Sequence, residues 1–210
     1  MNPLTKDDII TRAQLYLDDS SELSDQEFSD LFDIKYAELS SRKPWEGTKK
    51  AATSTTSTTV PYVALPSDFR YMLANANYTD SSNYSSRPVV FRGTSYKPYQ
   101  VVSWSDRRQY KDQEGYAYLD MVNSRLYFTY QPTVAESYEF DYQSSVTPLA
   151  LTDVPWFPAE FHPVLFHEMV ADDFIIQQSN KAQSYMAENK AMAQSYYRHM
   201  EMWNAKLIQM

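Results

Sequence analysis

The sequence predicts an α+β fold in which N- and C-terminal helices form a helical bundle bracketing a central antiparallel β-sandwich or barrel-like insertion. Three observations carry that prediction. Apolar residues recur at helical spacing near both ends. Short β-forming runs with period-two alternation occupy the middle. The glycine count is only 3 against 18 tyrosines, which suits half-wet sheet faces and interfaces and leaves little material for phosphate-cradling loops.

Two capping boxes mark the first helices, Thr5-Lys6-Asp7-Asp8 and Ser24-Asp25-Gln26-Glu27, where side chains satisfy the orphan amides of a first turn. The first helix sets Ile9, Ile10, Ala13 and Leu17 on one side. The second spaces Phe28, Leu31, Phe32, Tyr36 and Leu39 along one face, with Asp30, Asp33 and Glu38 between them. Asp18 through Leu23 makes the turn, and Pro44 ends the second helix. An acidic antiparallel helix pair is expected.

Residues 50–147 change character. Thr53–Thr59 is a polar edge strand or a flexible loop, and Val60–Leu65 is a strand that stops at Leu65-Pro66-Ser67-Asp68. Asp80–Ser86 reads as a loop. Val89-Val90-Phe91 and Val101-Val102 are short strands, and Trp104–Gln109 is a brief helical turn with Ser103 as its cap. Tyr116–Tyr130 is a hairpin about Asn123-Ser124. Tyr138, Phe140 and Tyr142 alternate with Glu139, Asp141 and Gln143, which predicts one packed face and one wet face.

Pro155-Trp156-Phe157-Pro158 opens a second helical section. Pro163–Ile176 is expected to be a helix, with His162 held extended by the following proline. A longer helix runs from about Lys181 to Leu207, with the stripe Tyr185, Asn189, Met192, Tyr196, Met200, Trp203 and Leu207. The domain assignment that follows is a discontinuous helical bundle over 1–46 and 155–210, packed as one four-helix layer, and an antiparallel β module over 47–154.

The net charge is −8, and its placement is uneven. Residues 1–46 carry five Lys/Arg and eleven Asp/Glu, residues 47–157 ten of each, and the remainder four against six. That balance argues against gripping nucleic acid through its phosphates. The absence of cysteine excludes disulfides and thiolate metal sites. The N-terminal residues are charged where a signal peptide is apolar, and no apolar run approaches the ~20 residues that span a bilayer. A soluble protein, cytoplasmic at synthesis, is expected.

Motifs for catalysis are missing. His167-Glu168 begins like a zinc-protease helix, but Ala171 stands where the second histidine belongs. His162 and His167 are read as ordinary helix-surface or interface histidines. The carboxylate pairs Asp18-Asp19 and Asp172-Asp173 are adjacent, and adjacent helical residues do not face each other. Lys49-Lys50 and Arg107-Arg108 are the basic doublets. Trp104 beside the arginines offers a stacking platform for nucleic acid, but the pair reads better as a local surface feature. No catalytic, metal or cofactor site is expected. The long C-terminal stripe is the best partner-binding element, because Met, Tyr and Trp are enriched in interface cores. Tyr185–Met192 is expected to pack on the chain's own helices and Tyr196–Met210 to overhang them.

The order of these features resembles the head-to-tail adaptor (connector) proteins of tailed bacteriophages, including the podophage tail tubular protein A type. The resemblance rests on the helix pair ending in Trp45, the strand leading to Leu65-Pro66-Ser67-Asp68-Phe69, and the runs Leu126–Pro132 and Tyr138–Tyr142. Val154-Pro155-Trp156-Phe157-Pro158-Ala159-Glu160-Phe161-His162 completes it. It implies a structural, non-enzymatic virion protein at the neck, forming a dodecameric ring that joins the portal protein to a tail or nozzle protein. Genomic DNA would pass through without specific binding, with no membrane or cofactor involved. The isolated protein is expected to be a monomer in the host cytoplasm during assembly. In that family the C-terminal segment commonly reaches the portal, a role falling here on Tyr196, Met200, Trp203, Leu207 and Met210. The competing readings are another neck or tail subunit (a stopper, a nozzle or a minor capsid protein), a tyrosine-rich glycan-binding module, and a hydrolase with an unfamiliar site.

Overall fold

The structure is a computed structural model that describes residues 2–17, 23–74, 88–93, 97–172 and 183–208. The chain divides into two compact units, residues 1–48 with 146–210 and residues 49–145.

Among the described residues the first unit holds the α-helices α1 (Lys6–Leu17), α2 (Asp25–Ser41), α3 (Pro163–Val170) and α4 (Gln183–Ile208). Both capping boxes form. The Thr5 hydroxyl accepts from the Asp8 amide at 3.1 Å, and Asp8 Oδ2 accepts from the Thr5 amide at 2.9 Å. At α2, Ser24 and Glu27 make the same reciprocal pair. The carbonyls of Asp153 and Leu151 accept the Lys6 and Asp7 amides at 2.9 and 3.0 Å, so the 150–153 turn finishes the start of α1. The buried face of α1 is Ile9, Ile10, Ala13 and Leu17, and that of α2 is Phe28, Phe32, Tyr36 and Leu39. These join Trp45, Phe157, Phe161, Val164, Leu165, Met169 and Met200 in one core.

Two local expectations are corrected. α3 ends at Val170, where the Ala171 amide turns back to the His167 carbonyl at 3.1 Å; residues 173–176 lie outside the described residues. His162 is helical (φ −53°, ψ −33°) rather than extended, and it is buried rather than on a surface. Its ring is bonded on both sides, accepting the Leu4 amide at Nδ1 (3.0 Å) and meeting the Phe157 carbonyl at Nε2 (2.9 Å). Those two bonds hold the backbone conformation that a following proline disfavours. The expected turn at Asp18–Leu23, apart from Leu23, and the loop at Asp80–Ser86 lie outside the described residues.

The second unit is a nearly closed, barrel-like sheet of eight strands: β1 (Lys49–Thr55), β2 (Tyr62–Ala64), β3 (Phe69–Met72), β4 (Val89–Arg92), β5 (Lys97–Val102), β6 (Tyr116–Asp120), β7 (Arg125–Phe128) and β8 (Ser137–Ser144). The spatial order is β1-β8-β4-β5-β6-β7-β2, with β3 on β8 as well. β8 is central: β1 pairs along its length, while β4 takes Tyr138–Glu139 and β3 takes Tyr142–Ser144. One pairing departs from the antiparallel expectation, since β5 and β6 run parallel. The crossover over 103–115 supplies the dozen or so residues such a pairing requires; its 3-10 turn has Ser105 rather than Ser103 at the N-cap, and the Ser103 hydroxyl accepts the Asp106 amide at 3.2 Å. Tyr138, Phe140 and Tyr142 point inward from β8 with Val63, Val90, Tyr99, Ala117, Leu126 and Phe128. No helix among the described residues is long and apolar enough to cross a membrane.

Candidate functional site

The stripe singled out on α4 lies against the core of its own unit for most of its length. Asn189, Ala193, Met200 and Asn204 are buried, with Tyr196, Tyr197 and Trp203 half-buried between them. Tyr196 stacks on His167 with centroids 5.7 Å apart, and Trp203 lies 5.9 Å from Phe161 and 6.4 Å from Trp156. Met200 is 0% exposed. The overhang expected from Tyr196 onward is therefore corrected: α4 stays seated as far as Asn204, whose Oδ1 accepts the Glu46 amide at 2.8 Å. Conversely Met192, expected within the stripe, faces solvent, because Ala193 takes the inward position. The large apolar side chains that α4 leaves exposed toward its end are Met202, Leu207 and Ile208. Met210 lies outside the described residues.

Polar groups along this seam are satisfied by one another. Asn189 Oδ1 accepts from His167 Nδ1 at 2.8 Å, and its amide donates to the Tyr16 hydroxyl at 3.1 Å and to the Tyr185 carbonyl at 2.8 Å. Burial pushes His162 below the ordinary imidazole range, while the Phe157 carbonyl pulls the other way. With the Leu4 amide aimed at Nδ1, the neutral tautomer carrying its proton on Nε2 is the one that fits. Both histidines thus hold elements together, and no group of three or more His, Cys, Asp or Glu among the described residues could hold a metal.

Inside the β unit, buried tyrosines reach carboxylates that cations hold in turn. The Tyr138 hydroxyl donates to Glu136 at 2.7 Å, Glu136 pairs with Arg92, and Glu114 is bound by Lys97 at 2.8 Å. Burial, then the Glu136 carboxylate, pushes the Tyr138 phenol far up; contact with Lys97 keeps Glu114 low. Tyr142 donates to Asp68 at 2.8 Å and is pushed up to about 12, by burial first.

The outer face carries a row that sequence order does not suggest. Tyr62, Tyr127 and Tyr118 sit directly opposite one another across β2, β7 and β6. Trp104 extends the row, with ring centroids stepping 5.5 Å to Tyr118, 5.4 Å to Tyr127 and 5.0 Å to Tyr62. A guanidinium caps each end, Arg107 lying 3.9 Å over Trp104 and Arg125 lying 4.1 Å over Tyr62. The sequence places Trp104 beside Arg107 and Arg108 but does not show that Arg107 covers its ring. The tyrosines were not legible as a row, although each stands one residue from an inward-facing neighbour (Val63, Leu126, Ala117).

A family model described as SU10 adaptor protein matches residues 4–208. The chain belongs to that family. The match spans both units and supports the role of a bacteriophage head-to-tail adaptor, a structural component of the virion that works through contacts with other virion components. A comparison with curated proteins returns no match. The candidate surfaces among the described residues are the exposed end of α4, the acidic outer side of α2 and the aromatic–arginine row of the β unit.

Proposed function

We propose that the adaptor assembles as a ring, dodecameric in the virion, that joins the portal protein to the tail or nozzle protein, as in the tail tubular protein A type, and encloses the DNA channel at the neck. The observation that carries this reading is the family match over residues 4–208, which spans both units. The helical unit docks on the portal and the β unit meets the tail component. The excess of acidic over basic residues on the helical unit repels phosphate and keeps the passage free of specific DNA binding. The chain is a monomer in the host cytoplasm until the portal offers a template, and it has no enzymatic step.

Portal contact through the C-terminal segment is best carried by the part of α4 not already committed to the core. Leu207, Ile208 and Met202 are exposed, and Met210 follows them; Tyr196, Met200 and Trp203 hold the helix in place beneath. The test is light scattering after size exclusion, with the protein alone and then mixed with portal rings from the same genome. A monomer alone, co-migration at the portal's own copy number, and loss of binding in Leu207→Asp/Ile208→Asp with an unchanged melting curve are expected. A folded protein that binds no portal overturns the reading in favour of another neck or tail subunit.

A further inference from the structure

We propose that the aromatic–arginine row of the β unit is one half of the subunit–subunit contact of the ring, and that its counterpart is the outer side of α2 in a second copy of the chain. The inference rests on the ring assembly proposed above and names the surfaces that would close it.

The row gathers cations that make no salt bridge among the described residues, with Arg125 opposite Asp120 across β6 and β7. Lys6, Lys35, Arg42, Lys43, Lys50, Arg92 and Lys97 all have a carboxylate within salt-bridge distance. Arg107, Arg108 and Arg125 have none among the described residues. Two of them are spent on ring faces and the third, Arg108, is exposed. A cationic, aromatic, half-buried strip in a chain of net charge −8 has the composition of an interface core, where Arg, Tyr and Trp are enriched.

The charge and hydrogen-bonding groups of the row select the partner. Tyr118 and Tyr127 are parallel to within 4°, and the end rings are covered by guanidinium groups. Trp104 meets Tyr118 edge-on at 73°, and Tyr62 is tilted 49° from Tyr127. Guanidinium groups and phenol hydroxyls side by side suit carboxylates on a protein surface.

Such a surface exists on the same chain. Glu27, Asp30, Ile34 and Glu38 recur at spacings of three and four along α2, all exposed, with Ile34 53% exposed among the acids. From Glu27 to Glu38 the helix rises about 16 Å. The three centroid steps put the ring row at no more than about 16 Å, as expected for residues on adjacent strands. Length, charge and one apolar anchor therefore match. Because the two surfaces differ, the contact is head-to-tail, the kind that generates a ring when its rotation closes.

The experiment is a charge swap in the full chain, with assembly followed by sedimentation velocity over a concentration series, alone and on portal rings. Arg107→Glu/Arg125→Glu and Asp30→Lys/Glu38→Lys are each expected to raise the half-assembly concentration by about tenfold or more, as like charges come to face each other. Glu27 is left intact because it closes the α2 cap. Combining all four changes restores assembly to within about threefold of the parent, which mere surface damage would not do. Rings that ignore both pairs, or a quadruple variant no better than the doubles, overturn this contact and leave the ring standing. A parent that never self-associates, with or without portal, overturns both. Single-stranded DNA bound by the parent and lost in Arg107→Glu/Arg125→Glu, with the α2 reversal silent in assembly, overturns the contact and makes the row a nucleic-acid surface.

Discussion

Met200 and Met202 lie two residues apart on α4, one 0% exposed and the other 55% exposed, and replacing each with alanine separates a core role from a docking role. Met200→Ala removes three heavy atoms from a side chain enclosed by the helical core and leaves a cavity behind them. Such truncations cost about 2–5 kcal/mol, and alanine's better helix propensity returns only a few tenths. Met202→Ala removes the same atoms from solvent and stays within about 0.5 kcal/mol. Urea unfolding followed by tryptophan fluorescence is the assay. Three of the four tryptophans report the unit in question, Trp45 within its core and Trp156 and Trp203 packed against it, while Trp104 of the other unit is 50% exposed. With a slope of about 1–3 kcal/mol per molar urea, the Met200→Ala midpoint falls by roughly 1–2 M while that of Met202→Ala hardly moves. Equal, negligible shifts for the two would refute the seating of α4. Met200 would then be free to meet a partner, as the sequence alone suggested.

Two further predictions follow from the same core. His162 is neutral in the folded state with its pKa depressed by burial, so the unfolded chain binds the extra proton first. Stability is therefore fully present above the unfolded value near 6.5 and declines as pH falls from there toward the folded value. His162→Gln, measured by thermal melts between pH 7.5 and 5.5, should show a shallower decline than the parent; an identical slope would remove His162 as its source. Gly47 lies beneath the Trp156 indole, where an added Cβ would come within 2.7 Å of Cε3. Gly47→Ala should cost about 1–3 kcal/mol by overpacking and alter the near-ultraviolet dichroism of the tryptophans, whereas unchanged spectra and stability would mean that the indole moves freely.

The helix starts were readable because capping is local: Thr5–Asp8 and Ser24–Glu27 close their boxes within four residues. The inward set on β8 was equally readable, since Tyr138, Phe140 and Tyr142 obey a period of two whatever surrounds them. Helical spacing likewise placed Phe28, Phe32, Tyr36 and Leu39 in the core. The family order of motifs pointed to a phage adaptor before any contact was known.

Whatever depends on residues distant along the chain was decided only by folding. His162 adopts a helical backbone because the Leu4 amide and the Phe157 carbonyl grip its ring, and the Leu4 partner is 158 positions away. The parallel β5–β6 pair depends on how the crossover returns, which neither strand encodes by itself. The inward face of α4 shifted from Met192 to Ala193 because close helix packing selects for size and polar satisfaction as well as hydrophobicity; buried Asn189 and Asn204 answer groups on other elements. The row of Trp104, Tyr118, Tyr127 and Tyr62 exists only once three strands are in register, since a one-residue slip would turn each tyrosine to the opposite face. Sequence by itself determined the periodic and local features. Tertiary structure determined which of those faces is covered, because burial is a property of pairs of surfaces.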